Sequence, residues 1–132
     1  MYQVVKSHTM AKKTEYDGVR YDSGFEGQYA YHLDQQLKKK LIKSWQRQVT
    51  IPLVVNDYHV CDYKIDFIVH HHDGTKEYVE TKGRHFPDWK LKWKLFEALY
   101  SDIPGNKLTI VQQESLWGKT PKPPKLRKIK NY

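Results

Sequence analysis

Two acidic residues and a lysine stand on neighbouring segments of the chain: Asp66, Glu80 and Lys82. Asp66 lies inside the apolar run IDFIV, and the other two follow in EYVETKG. Asp is disfavoured inside a strand, and a buried carboxylate without a partner is costly enough that it usually takes up a proton. Two carboxylates beside an ammonium group are the components of a centre that binds a divalent cation and hydrolyses phosphodiesters.

The turn between these two segments, Asp73-Gly74, decides whether the acids can meet. A turn centred on Asp73 places Asp66 opposite Glu80, and a turn centred on Gly74 makes them diagonal neighbours on one face. A centre between the two residues would separate them, because a slip of one residue reverses the face. We therefore expect an odd-membered turn or a compensating bulge, with Glu80 and Lys82 on the same face of their strand.

A divalent cation would make this pairing favourable. Two carboxylates about 5 Å apart repel by about 3 kcal/mol at an effective dielectric constant of about 20. Mg²⁺ suits a site of few carboxylates, one backbone carbonyl and several waters. A third carboxylate has to come from elsewhere, and Glu26 is the candidate. Its motif, Ser23-Gly24-Phe25-Glu26, is also a capping box, in which the Glu needs no catalytic role.

Other residues that often bind metals or bases have plainer interpretations. His70, His71 and His72 are neighbours, and consecutive strand residues point to alternate sides, so we expect a solvated or phosphate-facing hairpin tip and not a zinc site. Cys61 is the only cysteine, which excludes an intramolecular disulfide and a cysteine-based zinc site. Trp89, Trp93 and Phe96 are expected in the core, and base stacking stays open for Trp89.

The elements that would position these residues begin with a short ribbon around Asp17-Gly18. A helix should run from Ser23 to about Leu41, followed by a strand over 42–53 that ends at Pro52. The apolar stripe of this helix comprises Phe25, Tyr29, Leu33, Leu37 and Leu41.

After an Asn56-Asp57 turn, the pattern predicts strands over about 60–70 and 76–82. Phe86-Pro87-Asp88 predicts a helix start, because Pro suits the first helical turn. Its apolar face comprises Leu91, Leu95, Phe96 and Leu99, and residues 107–112 form the last strand. The order predicts one mixed sheet with helices against it, an α/β or α+β domain. We place the domain at 15–112, between a basic arm (1–14) and a basic, Pro-rich tail (113–132).

Composition narrows the partner and the compartment. The length of 132 residues indicates a single domain. The formal net charge of +8 indicates a polyanionic partner, and nucleic acid is the first candidate. Solubility alone is the alternative explanation of this charge. No apolar run is long enough for a membrane span or a signal peptide. We expect no membrane partner and a cytoplasmic, reducing setting.

The order Glu26, then Asp66 after an apolar strand, then VETKG resembles the PD-(D/E)XK nuclease superfamily. The segments SGFEGQYAYHLDQQL and EYVETKG, followed by a Lys-rich helix, are similar to phage-encoded members, including the junction-resolving endonuclease I type. The likeness covers roughly residues 15–112. Ile65 stands where the family has Pro before its Asp.

This resemblance implies a restriction-endonuclease-like core and Mg²⁺-dependent cleavage of DNA, with Mn²⁺ expected to substitute. It implies Asp66, Glu80 and the Thr81 main-chain carbonyl as metal ligands, and Lys82 as the residue that orients or activates the attacking water. Glu26 would be a further acidic ligand, direct or through water. Gln48 and Lys94 are expected beside this site in supporting roles. The alternative for Gln48 is that it is an ordinary strand residue with no role in the site.

The resemblance also implies branched DNA, such as a four-way junction, as substrate, and a two-fold homodimer to cut its two symmetric strands. The compartment would then be the cytoplasm of a bacterial host. A nicking or restriction-like nuclease for linear duplex DNA and a non-catalytic nucleic-acid-binding module stay open as alternatives. The residues expected to contact the DNA backbone are Arg84, Lys90, Lys92, Lys119, Lys122, Lys125, Arg127 and Lys128.

Overall fold

The computed structural model of the chain describes residues 14–16, 18–21, 24–81 and 87–112. It has the expected mixed α+β architecture. Its elements are β1 (Thr14–Tyr16), β2 (Val19–Tyr21), α1 (Gly24–Lys38), β3 (Ser44–Val55), β4 (Tyr58–His70), β5 (Lys76–Thr81), α2 (Pro87–Tyr100) and β6 (Asn106–Val111). The predicted arm up to residue 13, the capping Ser23 and the tail from residue 113 lie outside the described residues.

The main sheet has four strands in the order β3-β4-β5-β6. The first three are antiparallel to one another, and β6 runs parallel to β5 after the crossover through α2. β1 and β2 form a separate two-stranded ribbon, as the turn at Asp17-Gly18 predicts. The sheet is therefore mixed because only its last connection contains a helix, which a parallel neighbour requires.

Each face of the sheet is covered by one helix. On the α2 side, Trp93 and Phe96 are fully buried against residues such as Ile65. On the α1 side, Leu33 packs with Phe67 and Val79. The residues of β4 that both helices cover, Phe67, Ile68 and Val69, are buried and apolar, so the charged Asp66 directly before them stands out. Neither α1 nor α2, the helices of the described part, is long and apolar enough to cross a bilayer.

The first helix ends three residues earlier than predicted, and two leucines assigned to its apolar stripe are largely exposed: Leu37 at 39% and Leu41 at 60%. The backbone closes with a Schellman motif. The Leu41 amide donates to the Gln36 carbonyl, the Lys40 amide donates to the Leu37 carbonyl, and Lys40 has φ 60°. Gly usually takes that left-handed position, so the run of lysines carried no stop signal.

The second helix begins at Pro87 as predicted. Three residues of its predicted apolar face, Leu95, Phe96 and Leu99, pack into the α2-side core. Leu91 is 72% exposed, and the buried residues are Trp89, Trp93 and Phe96. These three aromatic residues are spaced by four and then three positions, so they lie on one face of the helix. Because this face packs on the sheet, Leu91 lies on the opposite, exposed side. Trp89 is a core residue, 7% exposed, and the base-stacking alternative for it was wrong.

The third strand extends further than predicted, through Pro52 to Val55. Pro52 is tolerated because β3 is an edge strand, where a missing amide breaks no ladder. The expected turn follows at Asn56 and Asp57, which have φ of 49° and 68°. Two left-handed residues of these types are typical of a type I′ hairpin, which gives the long β3–β4 pair its twist.

Candidate active site

The register of β4 on β5 brings the two predicted acids to the same level. The ladder pairs His70 with Lys76 and continues to Phe67 with Val79, so every pair is symmetric about residue 73. Asp66 and Glu80 are the next opposed residues, just beyond the last pair. The turn is odd-membered, since the His71 amide donates to the Thr75 carbonyl at 2.9 Å around three intervening residues. The predicted odd-membered turn is confirmed, and it is centred on Asp73.

Each carboxylate is oriented by a hydrogen bond from a neighbour. Glu80 is only 2% exposed, and the Tyr63 hydroxyl donates to its Oε1 at 2.8 Å. Asp66 is half-buried, and its Oδ2 accepts from the Thr81 amide at 2.9 Å and from the Thr81 Oγ1 at 2.8 Å. Both acids are therefore held in defined positions by the protein itself, which is the preorganisation that a cation site needs.

The Tyr63 hydroxyl lies in the field of both acids. Burial raises the pKa of Tyr63 above its ordinary value of 10.0, and the negative charges of Glu80 and Asp66 raise it further. A raised pKa keeps the phenol protonated, so it remains a hydrogen-bond donor to Glu80. Two carboxylates that act on one buried hydroxyl are close to each other at the end of the β4–β5 ladder.

The regular alternation of β4 breaks at Asp66. Ile65 packs in the α2-side core and Phe67 in the α1-side core, although residues two apart share a face in a regular strand. On β3 the ladder pairs Arg47 with Phe67 and Val49 with Ile65, so Gln48 is opposite Asp66.

Gln48 itself has a left-handed backbone, with φ 47°. For a residue other than Gly, Asn or Asp this conformation costs about 1–3 kcal/mol and is concentrated at functional sites. The structure thus places Gln48 beside Asp66 in the neighbouring strand, where a supporting residue was expected. Its hydrogen-bonding role stays a prediction.

Glu26 is buried in the first turn of α1, 9% exposed. Within the ranges 14–16, 18–21, 24–81 and 87–112, however, no group of three or more His, Cys, Asp or Glu side chains is arranged to hold a metal ion. Its role as a metal ligand, direct or through water, stays a prediction.

The donor set around Asp66 and Glu80 fits a hard cation. It consists of two carboxylates and the Thr81 main-chain carbonyl, all oxygen ligands, and Mg²⁺ characteristically binds one or two carboxylates and keeps several waters. The burial of Glu80 favours this fit, because a carboxylate 2% exposed is stable as an anion only when positive charge or several donors compensate it.

The basic residues predicted around the site are described only in part. Lys82 and Arg84 lie outside the described residues, as do Lys119, Lys122, Lys125, Arg127 and Lys128. Lys90, Lys92 and Lys94 are exposed on α2. The Lys92 Nζ donates to the Asp62 carbonyl at 3.2 Å, which ties α2 to β4. The supporting role of Lys94 and the DNA contacts of all three stay predictions.

The three neighbouring histidines have three different partners. The Nε2 of His70 is 3.0 Å from Gln46 Oε1, that of His71 is 2.7 Å from Glu77 Oε1, and that of His72 is 2.9 Å from the Lys40 carbonyl. The rings reach β3, β5 and the end of α1, respectively, and hold the hairpin against those elements.

Sequence reasoning missed Tyr63. In a regular β4, Tyr63 would face away from Asp66 and Glu80, because it is an odd number of residues from Asp66. The reversal at Asp66 turns Tyr63 to the α2 side, where Tyr78 and Glu80 also point. The residue type of Tyr63 does not indicate a role at the site, because tyrosine is common in strands. Its role is visible only once the break in strand alternation is known.

Comparison with known proteins identifies the family of the chain. A family model described as "Protein of unknown function (DUF1064)" matches residues 6–115, most of the chain. The chain belongs to the DUF1064 family. No curated protein and no solved structure matches it significantly. What this DUF1064 protein does has to be inferred from its own site.

Proposed function

We propose that this DUF1064 protein is a Mg²⁺-dependent endodeoxyribonuclease that hydrolyses DNA phosphodiester bonds. The observation that carries the proposal is the meeting of Asp66 and Glu80, one from each of two neighbouring strands, next to the buried hydroxyl of Tyr63. Like charges held side by side in a partly buried site repel, and a cation bound between them makes the arrangement favourable.

In this proposal Asp66, Glu80 and the Thr81 carbonyl hold the ion, and Glu26 contributes through water. When bound, Mg²⁺ supplies a Lewis acid for the phosphate oxygens and lowers the pKa of a bound water. Lys82, two residues after Glu80, orients the attacking water and balances the charge that develops on the phosphorus oxygens. Water adds to phosphorus, the bond to the 3′ oxygen breaks, and solvent protonates that oxygen, which leaves a 5′-phosphate and a 3′-hydroxyl.

The charge of the chain supports DNA as the substrate. The formal net charge of +8 favours binding of a polyanion, and Lys90 and Lys92 are exposed on α2 immediately after the segment that contains Lys82. Such contacts position the backbone without reading the sequence. Cleavage is therefore expected to depend on DNA shape more than on base sequence.

Branched DNA and a two-fold dimer are the finer form of the proposal, and they rest on the resemblance to junction-resolving nucleases. A four-way junction presents two symmetric strands, so a pair of identical subunits would place one site on each. Cleavage rates on a four-way junction, a flap and a linear duplex of equal length separate these substrates. Equal rates on all three would contradict the junction preference.

The decisive assay compares the wild type with Asp66→Ala, with and without Mg²⁺, on a labelled junction and a linear duplex. We expect Mg²⁺-dependent cleavage by the wild type and none by Asp66→Ala, with DNA binding largely retained. Asp62→Ala is the matched control, because Asp62 lies on the same strand and is paired with exposed His59 at 2.7 Å. Normal turnover by Asp66→Ala would end the assignment. Salt-sensitive binding by the wild type without any cleavage would indicate a non-catalytic binding module.

A further inference from the structure

A second basic region lies at the end of α1 opposite to Glu26. Lys38 ends the helix, Lys39 and Lys40 follow it in the turn, Lys43 precedes β3, and all four side chains are exposed. We call these four residues the lysine corner. None of them was among the residues that the sequence indicated for DNA contact.

The lysine corner has a defined position because its backbone is bonded to the β4–β5 hairpin. The Lys43 amide donates to the His70 carbonyl at 2.9 Å, and the Lys40 carbonyl is 2.9 Å from the Nε2 of His72. The Schellman motif at Lys40 closes the same segment from the helix side. Four cations are therefore presented by a fixed turn between two elements and not by a loose run of charge.

The charges of the lysine corner are not cancelled by nearby acids. Across the described residues, none of the four lysines forms an ion pair. The acids of the adjoining hairpin and strand have other partners. Asp73 accepts from the Thr75 amide at 2.8 Å, and Glu77 accepts from Thr109 at 2.6 Å and pairs with His71. The corner is thus a concentrated positive surface.

A helix end explains part of this arrangement but not all of it. Cations near a helix C-terminus are stabilised by the helix dipole, which accounts for Lys38 and Lys39. Lys43 lies beyond the helix, outside the range of that effect. Lys40 occupies a left-handed position, φ 60°, where Gly would relieve about 1 kcal/mol or more. A lysine at that position raises the free energy of the fold, which suggests that its charge is used.

We propose that the lysine corner is a second contact surface for the phosphate backbone of duplex DNA, located where Lys43 bonds to His70, four residues of β4 away from Asp66. This inference rests on the proposed nuclease function and names where its substrate extends. The four residues of β4 from Asp66 to His70 span about 13 Å, which matches about four base-pair steps of duplex. A duplex bound at the active site is therefore long enough to contact the lysine corner as well.

The test replaces all four lysines with Gln in one variant and with Arg in a second. Binding of a fluorescent 30-base-pair duplex is measured by anisotropy in EDTA, between 50 and 200 mM salt, so that no cleavage occurs. Each lost phosphate contact lowers the slope of log affinity against log salt by about 0.9. We expect the magnitude of that slope to be smaller by about 2–4 in the Gln variant. We also expect this variant to bind at least 10-fold more weakly at 100 mM salt. The Arg variant should bind like the wild type.

Three results would overturn the proposal. The first is an unchanged slope in the Gln variant, and the second is an equal loss in the Gln and Arg variants, which would mean altered packing. The third is that the wild type binds poly-glutamate more tightly than the duplex and that the Gln variant loses this binding. That result would mean that the lysine corner binds an acidic protein. Thermal melts of both variants check the fold. Because this assay needs no turnover, a failure of the nuclease proposal, read from cleavage with Mg²⁺, is distinguishable from a failure of this one.

Discussion

The two ends of the β4–β5 pair are built differently. At the hairpin end, the ladder is regular up to His70 and Lys76, and the left-handed position of the turn is taken by Gly74. At the other end the ladder stops before Asp66, the strand reverses its faces, and the left-handed residue in the neighbouring strand is Gln48. At the hairpin end the left-handed backbone costs little because the residue is Gly, whereas at the Asp66 end Gln48 adopts it with backbone strain.

The acids at the two ends also differ in the partners that hold them. Glu77, at the hairpin end, is bound by His71, by the Thr109 hydroxyl and, at 3.9 Å, by Lys107. Glu80, three residues later, accepts from the neutral hydroxyl of Tyr63. A charged partner screens a carboxylate, whereas a hydroxyl donor orients it. This difference is the one expected if the hairpin end serves stability and the Asp66 end is the cation site proposed above.

The largest expected effect separates these two glutamates. Glu80→Gln keeps the shape and an acceptor for Tyr63 but removes a metal ligand, so cleavage should fall by more than the roughly 100-fold cost of losing an outer-shell partner. Glu77→Gln should leave cleavage by the folded protein within about 2-fold, yet lower the free energy of unfolding by about 1–2 kcal/mol, because it weakens charge-assisted hydrogen bonds. Cleavage rates and urea melts of both variants measure this. If the two variants lose activity equally, the ends are not specialised.

An intermediate effect is expected at Tyr63. Tyr63→Phe removes the donor that orients Glu80, and we expect a 10–100-fold rise in the Mg²⁺ concentration needed for half-maximal cleavage. Tyr78→Phe is the control, since Tyr78 is buried in the same aromatic cluster and its ring contacts Phe96 at 5.2 Å.

Calorimetric titration of both tyrosine variants with Mn²⁺, without DNA, tests the same point independently of turnover. Weaker Mn²⁺ binding in Tyr63→Phe alone is the expected result. Equal metal affinity in the wild type and Tyr63→Phe would show that the hydroxyl only packs the core.

The smallest expected effect concerns the strained strand. Gln48→Gly and Gln48→Ala both remove the amide side chain, but only Gly accommodates φ 47° without strain. We expect the Gly variant to be more stable than the Ala variant by about 1 kcal/mol in urea unfolding, although Gly is disfavoured in ordinary strands. Both variants should cleave more slowly than the wild type if the amide supports Asp66. An Ala variant as stable as the Gly variant would show that the backbone relaxes.

Much of the fold could be read from local patterns. The turns at Asp57 and Gly74, the helix start at Pro87 and the order of the elements follow from residue types with known backbone preferences. The edges of the two helix faces did not follow. Leu37 has the right spacing for an apolar stripe but is exposed in the last turn of α1, and Leu91 is exposed because the larger aromatic rings decide which side of α2 is buried.

The sequence by itself placed Asp66 and Glu80 on adjoining strands and favoured an odd-membered turn, but only the structure decided for a turn centred on residue 73. The sequence could not determine the reversal of faces at Asp66 or the hydrogen bond from Tyr63, which depends on it. Strand alternation is a local rule, and only the packing of both sides of the sheet against two helices decides where that rule is broken. The lysine corner likewise exists only after folding, because hydrogen bonds to His70 and His72 give a run of lysines a fixed place.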